Sequence, residues 1–149
     1  MLSKSKVCFF FQEVTVSLAG RSVLKNFILR VFKQEGKNLD FVNFIFCTDK
    51  VLLKINQDYL NHDFYTDIIT FDLSKNRSIQ AEVYISIDRV RENAQKLGVS
   101  FKSELHRVIF HGVLHLCGYN DKTKEEKKNI RVKEDHYLNK YNLELSLSL

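Results

Sequence analysis

Residues 100–118, SFKSELHRVIFHGVLHLCG, have few places to go in a folded protein. At helical spacing Leu105, Val108, Ile109, Leu114 and Leu116 cover most of the cylinder. A helix that is apolar nearly all round is a buried one. Ser100 or Ser103 supplies a start and Gly118 a stop, so this segment is expected to be an interior helix. It carries His106, His111 and His115, which are therefore histidines of a largely inside element.

The rest of the chain alternates between the two periodicities. Residues 7–17, VCFFFQEVTVS, are rich in β-branched and aromatic residues and read as one or two strands. Ser22 is in position to cap a helix over residues 23–36, where Val23, Phe27, Ile28 and Phe32 recur at helical spacing. Residues 38–48 end as a strand, and Thr48 opens a second helix. A polar turn at residues 61–63 leads to a strand over 67–72, and the SKNRS turn separates it from another over 79–86, so these two strands are expected to be neighbours. A third helix closes at Gly98. The final helix is charged, with Ile130, Val132, Tyr137, Leu138 and Tyr141 on part of its surface. This interleaving implies an α/β (α+β) fold: a small mixed sheet of about four strands packed with about five helices. At 149 residues the simplest organisation is one domain over 1–149.

Chemistry concentrates at the end of the buried helix, in HGVLHLCGYND. His111 and His115 are one turn plus about 40° apart, so both imidazoles project from one face and can reach one ion. Gly118 breaks the helix and lets the chain turn back, bringing Asp121 towards the same place. Aspartate is a legitimate ligand for zinc and other divalent ions. Asp121 has a second reading as the N-cap of the next helix. Thr123 can fill that role itself, with Glu126 completing a capping box.

Composition narrows the setting. With 44% hydrophobic and 28% charged residues the chain is of ordinary globular type, and no run of 18 apolar residues suggests a membrane span. The apolar N-terminal run is too short for a secretory signal, and no small-residue cleavage site follows. Cys8, Cys47 and Cys117 are odd in number, lack a C-x-x-C spacing, and read as small buried residues in a reducing compartment. A cytoplasmic protein is expected. The net charge of +5 permits a polyanionic partner such as RNA without requiring one.

HGVLHLCGYND resembles the H-G-x-L-H-L-x-G-Y-D-H signature of the YbeY endoribonucleases, agreeing at His111, Gly112, Leu114, His115, Leu116, Gly118 and Tyr119. NQDYLNHDFYTDIITF resembles that family's N-x-x-Y-R-x-x-D-x-x-T-D-V-L-S-F segment at Asn56, Tyr59, Asp63, Thr66, Asp67 and Phe71. AEVYIS resembles the family's G-D-I-x-I-S strand and SELHRVIFHG its approach to the metal helix, and the likeness runs over roughly residues 38–135. The resemblance implies a small α/β fold and one zinc ion held by His111, His115 and Asp121. It implies a hydrolase, an endonuclease that cleaves single-stranded RNA by a metal-activated water or by metal Lewis acidity. Roles in 16S rRNA 3′-end maturation, ribosome biogenesis and ribosome quality control follow, with ribosomal or small-subunit partners and no DNA or membrane partner.

Two departures stand out. Asp121 replaces the family's histidine, which lowers the charge at the ion by one unit and leans selection towards a harder metal such as manganese or iron; zinc remains the first expectation. Leu60 stands where the family has arginine, removing a group suited to gripping phosphate, and Asn61 and His62 are the nearby polar substitutes. Thr66, Asp67 and Thr70 line the cleft by family position, although such residues are equally good turn formers. Lys127, Lys128 and Arg131 offer a track for RNA, against the plainer reading of a solvated face balanced by glutamates. His106 and Cys117 read as core and His136 as solvated. One alternative is a non-catalytic metal-containing RNA- or ribosome-associated factor. A zinc peptidase is a poorer one, because Gly112, directly after His111, cannot act as the general base.

Overall fold

The computed structural model describes residues 5–62 and 65–148. Its elements are β1 (Val7–Phe11), α1 (Arg21–Gln34), β2 (Asn38–Cys47), α2 (Asp49–Leu60), β3 (Ile68–Asp72), β4 (Ser78–Ser86), α3 (Ile87–Leu97), α4 (Phe101–Leu116) and α5 (Lys124–Ser148). The four strands form one sheet in the order β1-β2-β4-β3. β1, β2 and β4 run parallel, and β3 runs antiparallel to β4, so the fold is α+β with a mixed sheet.

Strand alternation divides the core. Val42, Phe44 and Phe46 of β2 and Ala81, Val83 and Ile85 of β4 face the main core with α1, α3, α4 and α5. Ile69 of β3 and Cys47 at the end of β2 face the other way and pack on Leu52 of α2, with Phe71 and Tyr84 beside them. α4 is the central helix, packed against α1, α3, α5, β3 and β4, as its apolar surface requires. Phe27, Phe110 and Tyr141 meet there with ring centroids 5.0–5.7 Å apart. Burying each such ring is worth about 1.5–3 kcal/mol.

The helix boundaries follow local chemistry. Thr48, Ser86 and Ser100 cap α2, α3 and α4 through side-chain oxygens that accept from Val51, Arg89 and Ser103. Thr123 and Glu126 exchange a capping box ahead of α5, at 2.9 and 3.1 Å. Some expectations change. Residues 12–17 form no second strand after β1. α1 starts after Gly20 rather than at Ser22: Gly20 takes the left-handed φ of 69°, and its carbonyl accepts the first helical bond from Leu24, leaving Ser22 inside the helix. Val132 is 59% exposed, because the buried stripe of α5 runs through Ile130, Tyr137 and Tyr141 instead. Cys8 is only half-buried.

Candidate metal centre

The end of α4 builds the site. Cys117 ends the helix, and Gly118 adopts a φ of 103°, where a side chain would be strained. The N–H groups of Gly118 and Tyr119 return to the carbonyls of His115 and Leu114, each at 3.0 Å, which is the Schellman pattern of helix termination. The turn places the Tyr119 carbonyl against His115 Nδ1 at 2.9 Å. A carbonyl can only accept, so Nδ1 carries the proton and Nε2 presents a lone pair.

His111 is oriented from another direction. Its Nδ1 lies 2.5 Å from the Glu134 carboxylate on α5. Both Nε2 atoms therefore point to the same place, 2.9 Å apart, with Asp121 Oδ2 at 3.3 and 3.2 Å from them. With both Nε2 atoms unprotonated, as metal ligation requires, the three electron-pair donors would repel one another, and a cation among them removes the conflict. The spacings are close to the roughly 3.3 Å between ligands of a tetrahedral ion with bonds near 2.0 Å. The donor set thus fits a divalent metal. With the Thr123–Glu126 box capping α5, the Asp121 carboxylate is left to face the histidines.

Gly112 decides how close this helix comes to the sheet. A Cβ there would lie 2.9 Å from Ile68 Cδ1 and 3.2 Å from Val83 Cγ1. Its missing side chain lets α4 rest directly on β3 and β4, which brings the histidines to the mouth of a cleft of about 720 Å³. Leu60, His62, Thr66, Asp67, Thr70, Asp72 and Lys122 line that cleft with the triad. A smaller depression of about 370 Å³ adjoins it, sharing His111 and Asp121, and is lined by Arg107, Lys127, Lys128, Arg131 and Glu134.

The electrostatics are uneven. Burial would push His111 down, but the hydrogen bond and charge of Glu134, with Asp121 and Asp67, hold it above the usual histidine range. Burial would raise Glu134, yet His111 and Arg107 keep it below the usual carboxylate value. Burial raises Asp67, partly offset by His111 and Arg107. Cys47 and Cys117 are pushed up to about 12, mainly by burial, which makes both poor nucleophiles.

Most of the sequence-derived residues come together here, with exceptions. Asn61 does not line the cleft; it caps α2 in the left-handed conformation with φ 55° and is exposed. Asp63 lies outside the described residues. Tyr59 and Phe71 meet edge-on, and Phe71 packs in the core on the sheet's other face. His106 is in the core against Tyr141, and His136 is exposed. Sequence reasoning missed Lys122, Glu134, Arg107 and Glu104. It also missed Glu35, whose carboxylate accepts from the hydroxyls of Tyr119 and Tyr137 and so ties the turn after α4 to the end of α1. On the last helix the capping-box pattern marks Glu126, and no local pattern marks Glu134.

Comparison with known proteins gives a consistent result. A family model described as Endoribonuclease YbeY matches residues 12–142. A curated relative from Cytophaga hutchinsonii, named Endoribonuclease YbeY, is 47% identical over 134 residues, covering 89% of this chain and 94% of the relative. Relatives of the same name from Flavobacterium psychrophilum and Porphyromonas gingivalis are 46% and 40% identical, covering 87% and 90% of this chain and 92% and 89% of their own. The solution structure of a Thermotoga maritima protein superposes with a TM-score of 0.62 at 25% identity, covering 95% of this chain and 93% of that one.

Proposed function

The chain belongs to the endoribonuclease YbeY family, and on that footing we propose that it is a metal-dependent endoribonuclease acting on single-stranded RNA. The observation that carries the proposal is the convergence of His111 Nε2, His115 Nε2 and Asp121 Oδ2 at the mouth of a cleft bordered by cations. A divalent ion held by these three donors, zinc in the first place, supplies Lewis acidity towards a phosphoryl oxygen and acidifies water.

The other residues would bind and orient. Lys122 is the one Lys or Arg among the described residues that line the main cleft, where it would meet a scissile phosphate alone, because Leu60 brings no guanidinium. Lys127, Lys128 and Arg131 continue the positive surface along the adjoining depression and would hold flanking phosphates. Thr66, Thr70 and His62 offer hydrogen-bonding groups to ribose or base edges from the cleft wall. A single strand suits a cleft of this size, because unstacked nucleotides enter where a duplex would not. We assign the whole of 1–149 to this one domain, acting in the cytoplasm in 16S rRNA 3′-end maturation and ribosome quality control, with small-subunit components as partners and no DNA substrate. None of the described helices is long and apolar enough to cross a membrane, and the three cysteines are unpaired.

The test is cleavage of an end-labelled rRNA fragment in single-stranded and annealed forms. The single strand is cut, the duplex is spared, and His115→Ala leaves the single strand intact; equal cutting by the variant would trace the activity to a contaminant. One observation favours a second reading. Leu60 leaves an apolar side chain in the cleft, as a non-catalytic RNA- or ribosome-associated factor could tolerate. Such a factor would bind the fragment and leave it intact. A peptidase is disfavoured by Gly112, which is buried against β3 and β4 and has no base to offer.

A further inference from the structure

Behind the three donors lies a chain of buried charge that the proposed chemistry does not use directly. Glu134 of α5 is 2% exposed and divides its carboxylate between two groups. Oε2 accepts from His111 Nδ1, and Oε1 accepts from Arg107 Nη1 at 2.9 Å. Arg107 sits on α4 one turn before His111, and its Nε and Nη2 donate to Glu104, which is 1% exposed. Each of these charges is hydrogen-bonded, and Glu134 is held from two sides.

We propose that Glu134 is a positioning residue for the metal centre. By accepting the Nδ1 proton of His111 it fixes the tautomer and ring orientation that aim Nε2 at His115 and Asp121, while Arg107 and Glu104 lock the carboxylate in place. The proposal rests on the metal reading of the site. A carboxylate behind a ligating imidazole also makes the ring a stronger donor, and such partners typically set metal affinity within about 10–100-fold. The two histidines are tethered independently: His111 through the docking of α5, and His115 through the Tyr119 carbonyl in the turn that ends α4. This independence separates positioning from a general structural role, since loss of Glu134 should release one ring and leave the other.

Long-range proton–nitrogen spectra of the imidazoles, with zinc titrations, test this. In the wild type, metal-free and zinc-loaded, both His111 and His115 should carry a proton on Nδ1. In Glu134→Ala, zinc should bind about 10–100-fold more weakly, and in the metal-free variant His111 should lose its preference for the Nδ1 proton while His115 is unchanged. Glu134→Gln keeps an acceptor oxygen and should recover much of the loss. Finding the His111 proton on Nε2 alone in the wild type would overturn the proposal, and that spectrum decides even if Glu134→Ala does not fold. Zinc affinity within twofold of wild type in both variants, or equal disturbance of both histidines, would overturn it as well. Failure of the wild type to bind zinc would sink the metal reading itself, a different result from equal binding by wild type and variants.

Discussion

The Nε2 atoms of His111 and His115 face each other at 2.9 Å, although each imidazole is set by its Nδ1 contact to present a lone pair there. Two such acceptors come together at a cost unless a positive charge lies between them. This relationship underlies the account of the site.

Asp121 completes the donor set from a turn rather than from the helix, with its side chain 40% exposed. Asp121→Ala removes a direct donor and should weaken metal binding by more than the roughly 10–100-fold that losing an outer partner costs. Metal content after gel filtration should fall from one equivalent towards zero. Stability should change by less than about 1 kcal/mol in metal-free protein, since the residue is a surface one.

The cations beside the site make a prediction of a different kind. Each phosphate contact to a single strand adds about 0.7 to the slope of log affinity against log salt. Lys122→Ala and Lys128→Ala should each lower that slope by about this amount and weaken binding for all sequences alike. An unchanged slope would return Lys127, Lys128 and Arg131 to the role of a solvated face.

Leu60 lines the cleft and is 41% exposed, so a longer side chain has room. Leu60→Arg should raise kcat/KM on single-stranded RNA by roughly fivefold, the equivalent of about 1 kcal/mol from a partly solvated charge contact. No gain, in a variant that still binds metal, would show that Lys122 already fulfils this role.

His106 supplies a pH dependence remote from the metal. Burial, with Lys102 adding, pushes it down to about 4 from the usual 6.5. The folded pKa is the lower one, so the unfolded chain takes up the proton first as pH falls. Stability is therefore complete above about pH 6.5 and declines between 6.5 and 4 by about 1.4 kcal/mol per unit. Urea unfolding at pH 5 should show a loss of about 2 kcal/mol relative to pH 7. His106→Phe, which keeps an aromatic ring against Tyr141, should remove most of that difference.

The legible parts of this molecule were those written in contiguous residues. The apolar surface of α4, the Gly98 and Gly118 stops, the Thr123–Glu126 box and the β3–β4 neighbours are all local patterns, and the structure has each of them. The three donors also fall within eleven residues. Sheet order was not legible, because the pairing of β2 with β4 joins strands separated by α2 and β3. Glu134 and Glu35 were missed for a related reason. Glu134 reaches His111 across 23 residues, and Glu35 reaches Tyr119 across 84. In their own segments, the C-cap of α1 for Glu35 and α5 for Glu134, both look like ordinary surface acids. Only packing of α1 and α5 against α4 turns them inward. Asn61 erred in the opposite direction: its sequence position beside the cleft says nothing of the left-handed backbone that turns it into a helix cap.

The most direct test of the central claim is single-turnover cleavage of a labelled single-stranded rRNA fragment by metal-stripped protein titrated with zinc. Cleavage should be absent at the start, rise to a plateau at one equivalent, and be missing at every zinc concentration in His115→Ala. Full cleavage by the stripped protein, or by His115→Ala, would contradict the account.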